Sequence, residues 1–274
     1  MLVNDHHLSV QRACRVVRLS RAAYYRPPVS RVRADAAVIA ALTAIVADHG
    51  RWGFWKCFHR LRLQGHGWNH KRVHRVYCAL RLNLPRRAKR RVPLRLRHPL
   101  IAPPVLNQTW ALDFMSDTLY DGRRFRVLTM IDEGNREGLV VYPAISVPSH
   151  HVIRLLEELV TVHGRPAALR VDNGPELTAE IFVAWCATQG IAIHYIQPGK
   201  PDQNAYIERF NRTYRTEVLD AYVFASIAEV RQLTDDWLVT YNHERPHDGL
   251  GQVPPLTFLP RPQFAGESTA QLST

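Results

Sequence analysis

The chain has 274 residues and a formal net charge of +12, with 36 Lys and Arg against 24 Asp and Glu. It has no run of 18 apolar residues, which argues against a membrane-spanning helix, and its first residues lack the layout of a secretory signal peptide. The four cysteines form no Cys-x-x-Cys pair, so the sequence predicts reduced thiols in a cytoplasmic protein.

The positive charge is concentrated in residues 1–100, which hold 22 Lys and Arg against three Asp and so carry a net charge of +19. Residues 101–274 carry a net charge of −7. A basic region joined to a mildly acidic one is typical of a polyanion-binding module fused to a part that uses carboxylates. An anionic membrane surface is the competing partner, but no basic helix with a Trp/Leu face supports it.

The basic half is predicted to be helical. Two short helices are expected within residues 8–25, a longer one over 33–49, and two more over 54–64 and 69–80. Glycines at the turn before the last helix complete the layout of a helix-turn-helix. The last helix carries three basic residues near its start, where such folds present side chains to DNA. These candidate DNA contacts are Lys71, Arg72 and Arg75.

A three-helix bundle with a basic, solvated face would show the same helical pattern, and the concentrated charge favours DNA binding over it. Residues 85–104 are rich in Pro and predict a linker, with the basic run 86–91 inside it. An extended basic segment can follow a nucleic-acid backbone, and it can also be only a solvated tether.

A β pattern begins at Thr109 and alternates with helical segments. Its order of β-β-β-α-β-α-β-α predicts an α/β fold with a mixed five-stranded sheet and helices on its faces. The expected strands cover residues 110–115, 125–131, 138–145, 169–171 and 191–196. The expected helices cover residues 149–163, 178–189 with Thr178 as N-cap, the second half of 196–219, and 227–241 after a capping box at Ser226.

The helix predicted within residues 196–219 follows an irregular loop that is rich in Pro and Gly. Its apolar residues recur at helical spacing and form a core stripe of Ile207, Phe210, Tyr214 and Val218. A polar strip lies beside this stripe and holds Asn204, Glu208, Arg212 and Arg215. An ordinary surface helix would show the same pattern, so the importance of Glu208 depends on acidic residues elsewhere.

Two other carboxylates precede Glu208 in the chain. Asp113 interrupts the apolar strand 110–115, and a buried carboxylate without a partner costs several kcal/mol, so it needs a cation. Asp172 follows a buried strand and opens an Asn-Gly-Pro sequence that by itself indicates only a turn. Glu208 follows Asp172 after 35 intervening residues. The three can converge on one edge of the sheet, and hard divalent cations prefer such all-oxygen sites.

This carboxylate set resembles that of the retroviral-integrase superfamily of DDE transposases. The resemblance is closer to bacterial insertion-sequence transposases whose catalytic part is the second of two overlapping reading frames, and it covers about residues 9–260. The blocks that match in the second half are Asn107–Asp113, Arg170–Glu176, Gln197–Phe210 and Tyr241–His247. Those that match the upstream DNA-binding part are Gly50–Phe54 and Asn69–Val73.

The resemblance implies an RNase H-like fold and two Mg²⁺ ions, with Mn²⁺ as a substitute. It implies that Asp113 bridges both ions, that Asp172 binds one and that Glu208 binds the other. It also implies metal-dependent cleavage at the ends of an insertion sequence, followed by transfer of the new 3′-OH to target DNA. Further DNA contacts implied near the catalytic residues are Lys200, Gln203, Asn204, Arg212 and Arg215, and Arg215 can instead steady Glu208.

The expected organisation places a short helical segment at 1–28, a helix-turn-helix-like region at 31–84, the linker at 85–104, the catalytic core at 105–220, and a final helix and tail at 221–274. The expected partners are duplex DNA at element ends and target, further copies of the chain on that DNA, and the upstream-frame product or a fusion with it. DNA binding also implies association with the nucleoid. A catalytically silent regulator of transposition and an RNase H-like nuclease are the alternatives.

Overall fold

The computed structural model describes residues 8–25, 31–85, 103–197 and 204–261. Most of the predicted linker and the loop 198–203 lie outside these ranges. Within them, no helix is long and apolar enough to cross a membrane. The helices of the basic half are α1 (Val10–Val16), α2 (Arg21–Tyr25), α3 (Arg31–Asp48), α4 (Phe54–Leu63) and α5 (His70–Ala79).

Helices α3, α4 and α5 share one apolar core, which explains why they fold together. Their buried residues recur at helical spacing, as the sequence predicts. The Asn69 side chain caps α5 by accepting a hydrogen bond from the Lys71 backbone N–H at 2.9 Å. The core consists of Val38, Leu42, Ile45, Trp52, Cys57, Leu61, Val73, Val76 and Tyr77.

The predicted mixed five-stranded sheet with flanking helices is confirmed. Its strands are arranged in the order β3-β2-β1-β4-β5, so β1 is central. β1 pairs antiparallel with β2 and parallel with β4, and the outer pairs are β2 with β3 antiparallel and β4 with β5 parallel. The strands are β1 (Thr109–Thr118), β2 (Arg124–Asp132), β3 (Gly138–Ala144), β4 (Ala168–Val171) and β5 (Ala192–Tyr195).

Helices cover both faces of the sheet. The described ones that follow β3 are α6 (Ser149–His163), α7 (Pro175–Thr178), α8 (Glu180–Gln189), α9 (Ala205–Tyr214), α10 (Ile227–His243) and α11 (Pro255–Phe258). A π-helical turn, Arg215–Leu219, continues α9. Trp110 and Leu112 of β1 face α6 and α8, whereas Ala111 and Met115 face α9 and α10, because successive strand residues point to opposite sides.

The prediction that Thr178 caps a helix running to Gln189 is wrong. Pro175 begins a separate turn of helix, α7, and Thr178 is its last residue, with its hydroxyl donating to the Gly174 carbonyl at 3.1 Å. Pro suits the first helical position because its fixed φ is already helical and no N–H is lost there. The longer helix α8 then starts independently after Ala179.

The helical region contacts the second half of the chain through α4. Arg60 Nη2 lies 2.6 Å from Glu244 Oε2 at the end of α10. Arg51, which precedes α4, donates from Nη2 to the Asp220 carbonyl at 3.1 Å. These polar contacts hold α4 against the elements that follow α9.

Candidate active site

Asp113 lies in the middle of the central strand β1, on the face that α9 covers. Its Oδ1 accepts the Phe114 backbone N–H at 2.8 Å, and its Oδ2 accepts the Asn211 side-chain amide at 2.8 Å. Both donors are neutral groups. Among the described residues, the carboxylate therefore has hydrogen-bond donors but no positively charged partner.

Asp172 follows β4 directly, beside β1. The parallel register pairs Thr109 with Ala168 and Ala111 with Arg170, and the same offset carried forward brings Asp172 alongside Asp113. Asp172 Oδ1 accepts the Gly174 backbone N–H at 3.0 Å. A Cβ built on Gly174 would lie 3.0 Å from that same oxygen, so a side chain at this position would crowd the Asp172 carboxylate.

An ion pair between two side chains also fixes the turn that carries Asp172. Arg126 of β2 forms an ion pair with Glu176 in the first turn of α7. The Arg126 guanidinium also lies 4.2 Å from the centre of the Phe114 ring. The pair ties α7, and with it the turn, to the strand next to β1.

Glu208 is an exposed residue in the first turn of α9. Burial is the largest cause that raises the pKa of Asp113, and the negative charges of Asp172 and Glu208 add to it, bringing that pKa to about 6. Asp172 and Glu208 thus each lie close enough to Asp113 for their negative charges to act on it. In the described ranges, however, no three His, Cys, Asp or Glu side chains already form a metal-binding cluster.

The donor set fits a divalent cation of the Mg²⁺ type. Such ions take oxygen ligands, and Asp113 offers a carboxylate whose ionised form is disfavoured by burial and by two neighbouring carboxylates. A cation at that position would relieve both effects. Asp113, Asp172 and Glu208 are the residues that would hold it.

Asn211 is a residue of this site that sequence reasoning missed. It is 7 % exposed and lies one turn after Glu208, and its amide reaches Asp113. Farther along, Arg215 donates from Nη2 to the Ser116 carbonyl at 2.8 Å and pairs through Nη1 with Asp117 at 3.2 Å. The signal that could have identified Asn211 in the sequence is a polar residue beside the buried stripe of an amphipathic helix.

The three basic residues of α5 that are predicted to contact DNA differ in whether another side chain already binds them. Asp35 of α3 binds Arg72 Nε at 2.8 Å and Arg75 Nη2 at 2.7 Å, so these two side chains tie α5 to α3. Their hydrogen bonds also hold the pKa of Asp35 below its usual range. Lys71 is exposed at the start of α5 and does not take part in the two ion pairs with Asp35.

The residues predicted to contact DNA near α9 also differ in their exposure and in their existing partners. Asn204 is 5 % exposed, and Arg215 is engaged by Asp117 and Ser116, whereas Arg212 is exposed. The predicted contacts Lys200 and Gln203 lie outside the described residues.

Comparison with known families gives three matches along the chain. Two models described as an integrase core domain match residues 105–201 and 189–255. A model described as an HTH-like domain matches residues 33–90. The integrase-core matches include the positions of Asp113, Asp172 and Glu208, and the HTH-like match includes α5.

Individual relatives agree with these families. The chain is 38% identical over 251 residues to an uncharacterised 39.2 kDa protein of insertion element IS476 from Xanthomonas euvesicatoria, covering 92% of this chain and 72% of that protein. It is 24% identical to a putative transposase, InsK, of insertion element IS150 from Escherichia coli, covering 78% of this chain and 81% of that one.

Among solved structures, the fold matches a chain of the simian T-cell lymphotropic virus intasome in complex with the PP2A regulatory subunit B56 gamma. That match has a TM-score of 0.51 at 19% identity and covers 78% of this chain and 75% of the other. It supports the RNase H-like integrase fold that the sequence predicts.

Proposed function

We propose that this chain, which belongs to the insertion-element transposases with an integrase core domain, cuts DNA at the ends of its element and joins the freed 3′-OH to target DNA. The observation that carries the proposal is Asp113. Its carboxylate lies on the central strand, its donors among the described residues are neutral, and the negative charges of Asp172 and Glu208 act on it. This arrangement opposes folding and favours cation binding, as expected of a site selected for catalysis.

Two divalent cations would supply activation of the attacking oxygen and stabilisation of the leaving oxygen. In this proposal Asp113 would hold both ions, Asp172 would hold one and Glu208 would hold the other. Asn211 orients the Asp113 carboxylate through its amide. The turn at Asp172 is fixed by its own hydrogen bond to Gly174 and by the Arg126–Glu176 pair.

The proposed reaction has two phosphoryl transfers. In the first, water attacks a phosphorus at the element end, and the P–O bond to the 3′ oxygen breaks to give a 3′-OH. In the second, that 3′-OH loses its proton and attacks a target phosphorus, whose own 3′ oxygen leaves. Each step exchanges one P–O bond for another, so no nucleotide hydrolysis is required.

The helical region is proposed to bind duplex DNA, with Lys71 reading the sequence. Its exposed position at the start of α5 is where helix-turn-helix proteins contact base edges. Arg72 and Arg75 instead orient α5 through Asp35.

We expect Lys71→Ala to weaken binding to a duplex selected from a random library by about 1 to 3 kcal/mol more than it weakens binding to random duplex. Arg62→Ala, which removes an exposed charge from α4, is the matched control and should weaken both alike. Anisotropy titrations at one fixed salt concentration measure both affinities. Equal losses on the two duplexes for Lys71→Ala would show that Lys71 contacts only the backbone.

Strand transfer is tested with a labelled, pre-cleaved element end, an unrelated supercoiled plasmid and Mn²⁺ or Mg²⁺. We expect the label to become covalently joined to the plasmid through its 3′-OH. The assay is run with the full chain alone and together with the product of any overlapping upstream frame. If every combination yields only hydrolysed ends, the protein is a nuclease; if DNA is bound without any strand breakage, it is a regulator.

A further inference from the structure

The turn between β2 and β3, residues 133–137, is rigid because several backbone contacts fix it. Asp132 and Glu137 close it, with the Asp132 N–H donating to the Glu137 carbonyl at 3.0 Å. Gly134 is pressed so closely against the chain before β1 that a Cβ there would lie 2.2 Å from the Val105 carbonyl oxygen. The backbone of this turn has little room to move.

The carboxyl-terminal segment locks the same turn from outside. Arg261 donates from Nη2 to Asp132 at 2.8 Å and from Nε to Glu137 at 2.5 Å. The Asn135 amide donates to the Leu259 carbonyl at 3.1 Å. Asp132, Asn135 and Glu137 are each at most 5 % exposed, so these bonds are shielded from water.

Arg136 is the residue of this turn that contacts α9. Its φ of 65° lies in the left-handed region, which non-glycine residues seldom occupy and which functional sites often retain. Its guanidinium carbon lies 3.3 Å from the centre of the Tyr206 ring. Among the described residues, its buried Nη1 has no hydrogen-bond partner. A left-handed backbone at a non-glycine residue opposes folding, so packing alone does not account for this arginine.

Tyr206 precedes Glu208 by two residues in the first turn of α9. Asn211 ties the middle of α9 to Asp113, and Arg215 ties the end of the helix to β1. Arg136 thus adds a contact at the amino-terminal end of α9, the end that carries Glu208, beside the burial of Ile207 in the core.

We propose that Arg136 is a positioning residue for Glu208: by packing its guanidinium on the Tyr206 ring, it fixes the first turn of α9 against the β2–β3 turn. The inference rests on the proposed function, in which Glu208 is a metal ligand. A cation over an aromatic face is attracted to the ring itself and does not need the hydroxyl. The expected consequence of losing the contact is a displaced Glu208 and a weaker metal site, with the fold retained.

The test uses four variants of the full chain, and Mn²⁺ binding is measured by the electron paramagnetic resonance signal of free Mn²⁺. Arg136→Asn removes the guanidinium but keeps a residue type that tolerates left-handed backbone. Tyr206→Leu removes the ring, and Tyr206→Phe retains it. Asp113→Asn serves as the variant with a damaged metal site. The melting temperature of each variant is recorded in metal-free buffer.

We expect Arg136→Asn and Tyr206→Leu to raise the Mn²⁺ dissociation constant by about 10- to 100-fold, as the loss of residues that orient metal ligands commonly does. Their melting temperatures should stay near that of the wild type, and their cleavage of element-end DNA should slow in parallel with the weaker metal binding. Tyr206→Phe keeps the ring and should therefore raise the dissociation constant by much less than Tyr206→Leu does.

Three results would overturn the inference: unchanged Mn²⁺ affinity in Arg136→Asn, a Tyr206→Phe variant as defective as Tyr206→Leu, or an affinity loss accompanied by an equivalent loss of thermal stability. Failure of the wild type to cleave DNA would reject the proposed function instead. The Mn²⁺ affinities are compared without DNA, so the two failures are distinguishable.

Discussion

Asp113→Asn is expected to abolish cleavage of element-end DNA in Mg²⁺ or Mn²⁺ while leaving DNA affinity unchanged. The amide cannot serve as a charged ligand between the positions of Asp172 and Glu208, and stabilisation of developing charge is a large part of phosphoryl-transfer catalysis. A loss of about 100- to 1,000-fold in the single-turnover rate is expected for the removal of one such stabilising group. Asp121→Asn, in the exposed turn of the same β1–β2 hairpin, is the matched control and should cleave normally.

The same substitution should increase stability when no metal is present. Because the pKa of Asp113 is raised to about 6 in the folded state, that state holds the proton more tightly than the unfolded chain. Stability contributed by the protonated form is therefore lost as pH rises from about 4 to about 6. At pH 7, Asp113→Asn should raise the free energy of unfolding by up to about 3 kcal/mol in metal-free buffer. Normal cleavage by Asp113→Asn, or a fall in its metal-free stability, would contradict the assignment.

Arg261→Met is expected to lower the free energy of unfolding by roughly 3 to 5 kcal/mol. Arg261 pairs with Asp132 and Glu137, whose side chains are 0% and 5% exposed, and also donates to Asn107 Oδ1 at 2.9 Å. The substitution removes this guanidinium, and the buried carboxylates of Asp132 and Glu137 then lack their arginine partner. Burial already raises the pKa of Glu137 despite the arginine, which shows how little solvent stabilises this charge.

Urea denaturation of Arg261→Met at pH 7 measures this loss, and Arg209→Met provides the contrast. Arg209 pairs with Asp248 at 3.3 Å, but both side chains are more than half exposed, so its loss should alter the unfolding free energy by less than about 1 kcal/mol. Equal stabilities for the two variants would show that the buried network contributes nothing beyond a surface pair.

The strands and the main helices of the integrase core could be predicted because their residues alternate or recur with the period of the element they form. Asp113 could be identified because a charge inside an apolar strand conflicts with the local pattern. The ends of the elements were harder to predict. β1 extends to Thr118 because it pairs with β2 from Trp110 to Thr118, and this pairing is a property of two segments together.

The features of the site that could not be predicted from the sequence are contacts between segments that are far apart in the chain. Asp35 and Arg72 are 37 residues apart, and nothing local to α5 indicates that its arginines are occupied by α3. Asn211 reaches Asp113 across 98 residues, and Arg136 meets Tyr206 because α9 packs against β1 and β2, the strand that leads into the turn with Arg136. Such pairings depend on the tertiary arrangement and leave no periodic signal in the chain.

The most direct test of this account is anomalous diffraction from crystals of the protein grown with duplex element-end DNA and Mn²⁺. The account predicts two Mn²⁺ peaks, both within bonding distance of the Asp113 carboxylate, one also bound by Asp172 and the other by Glu208. Mn²⁺ bound elsewhere, with these three carboxylates free of metal beside the DNA, would contradict it.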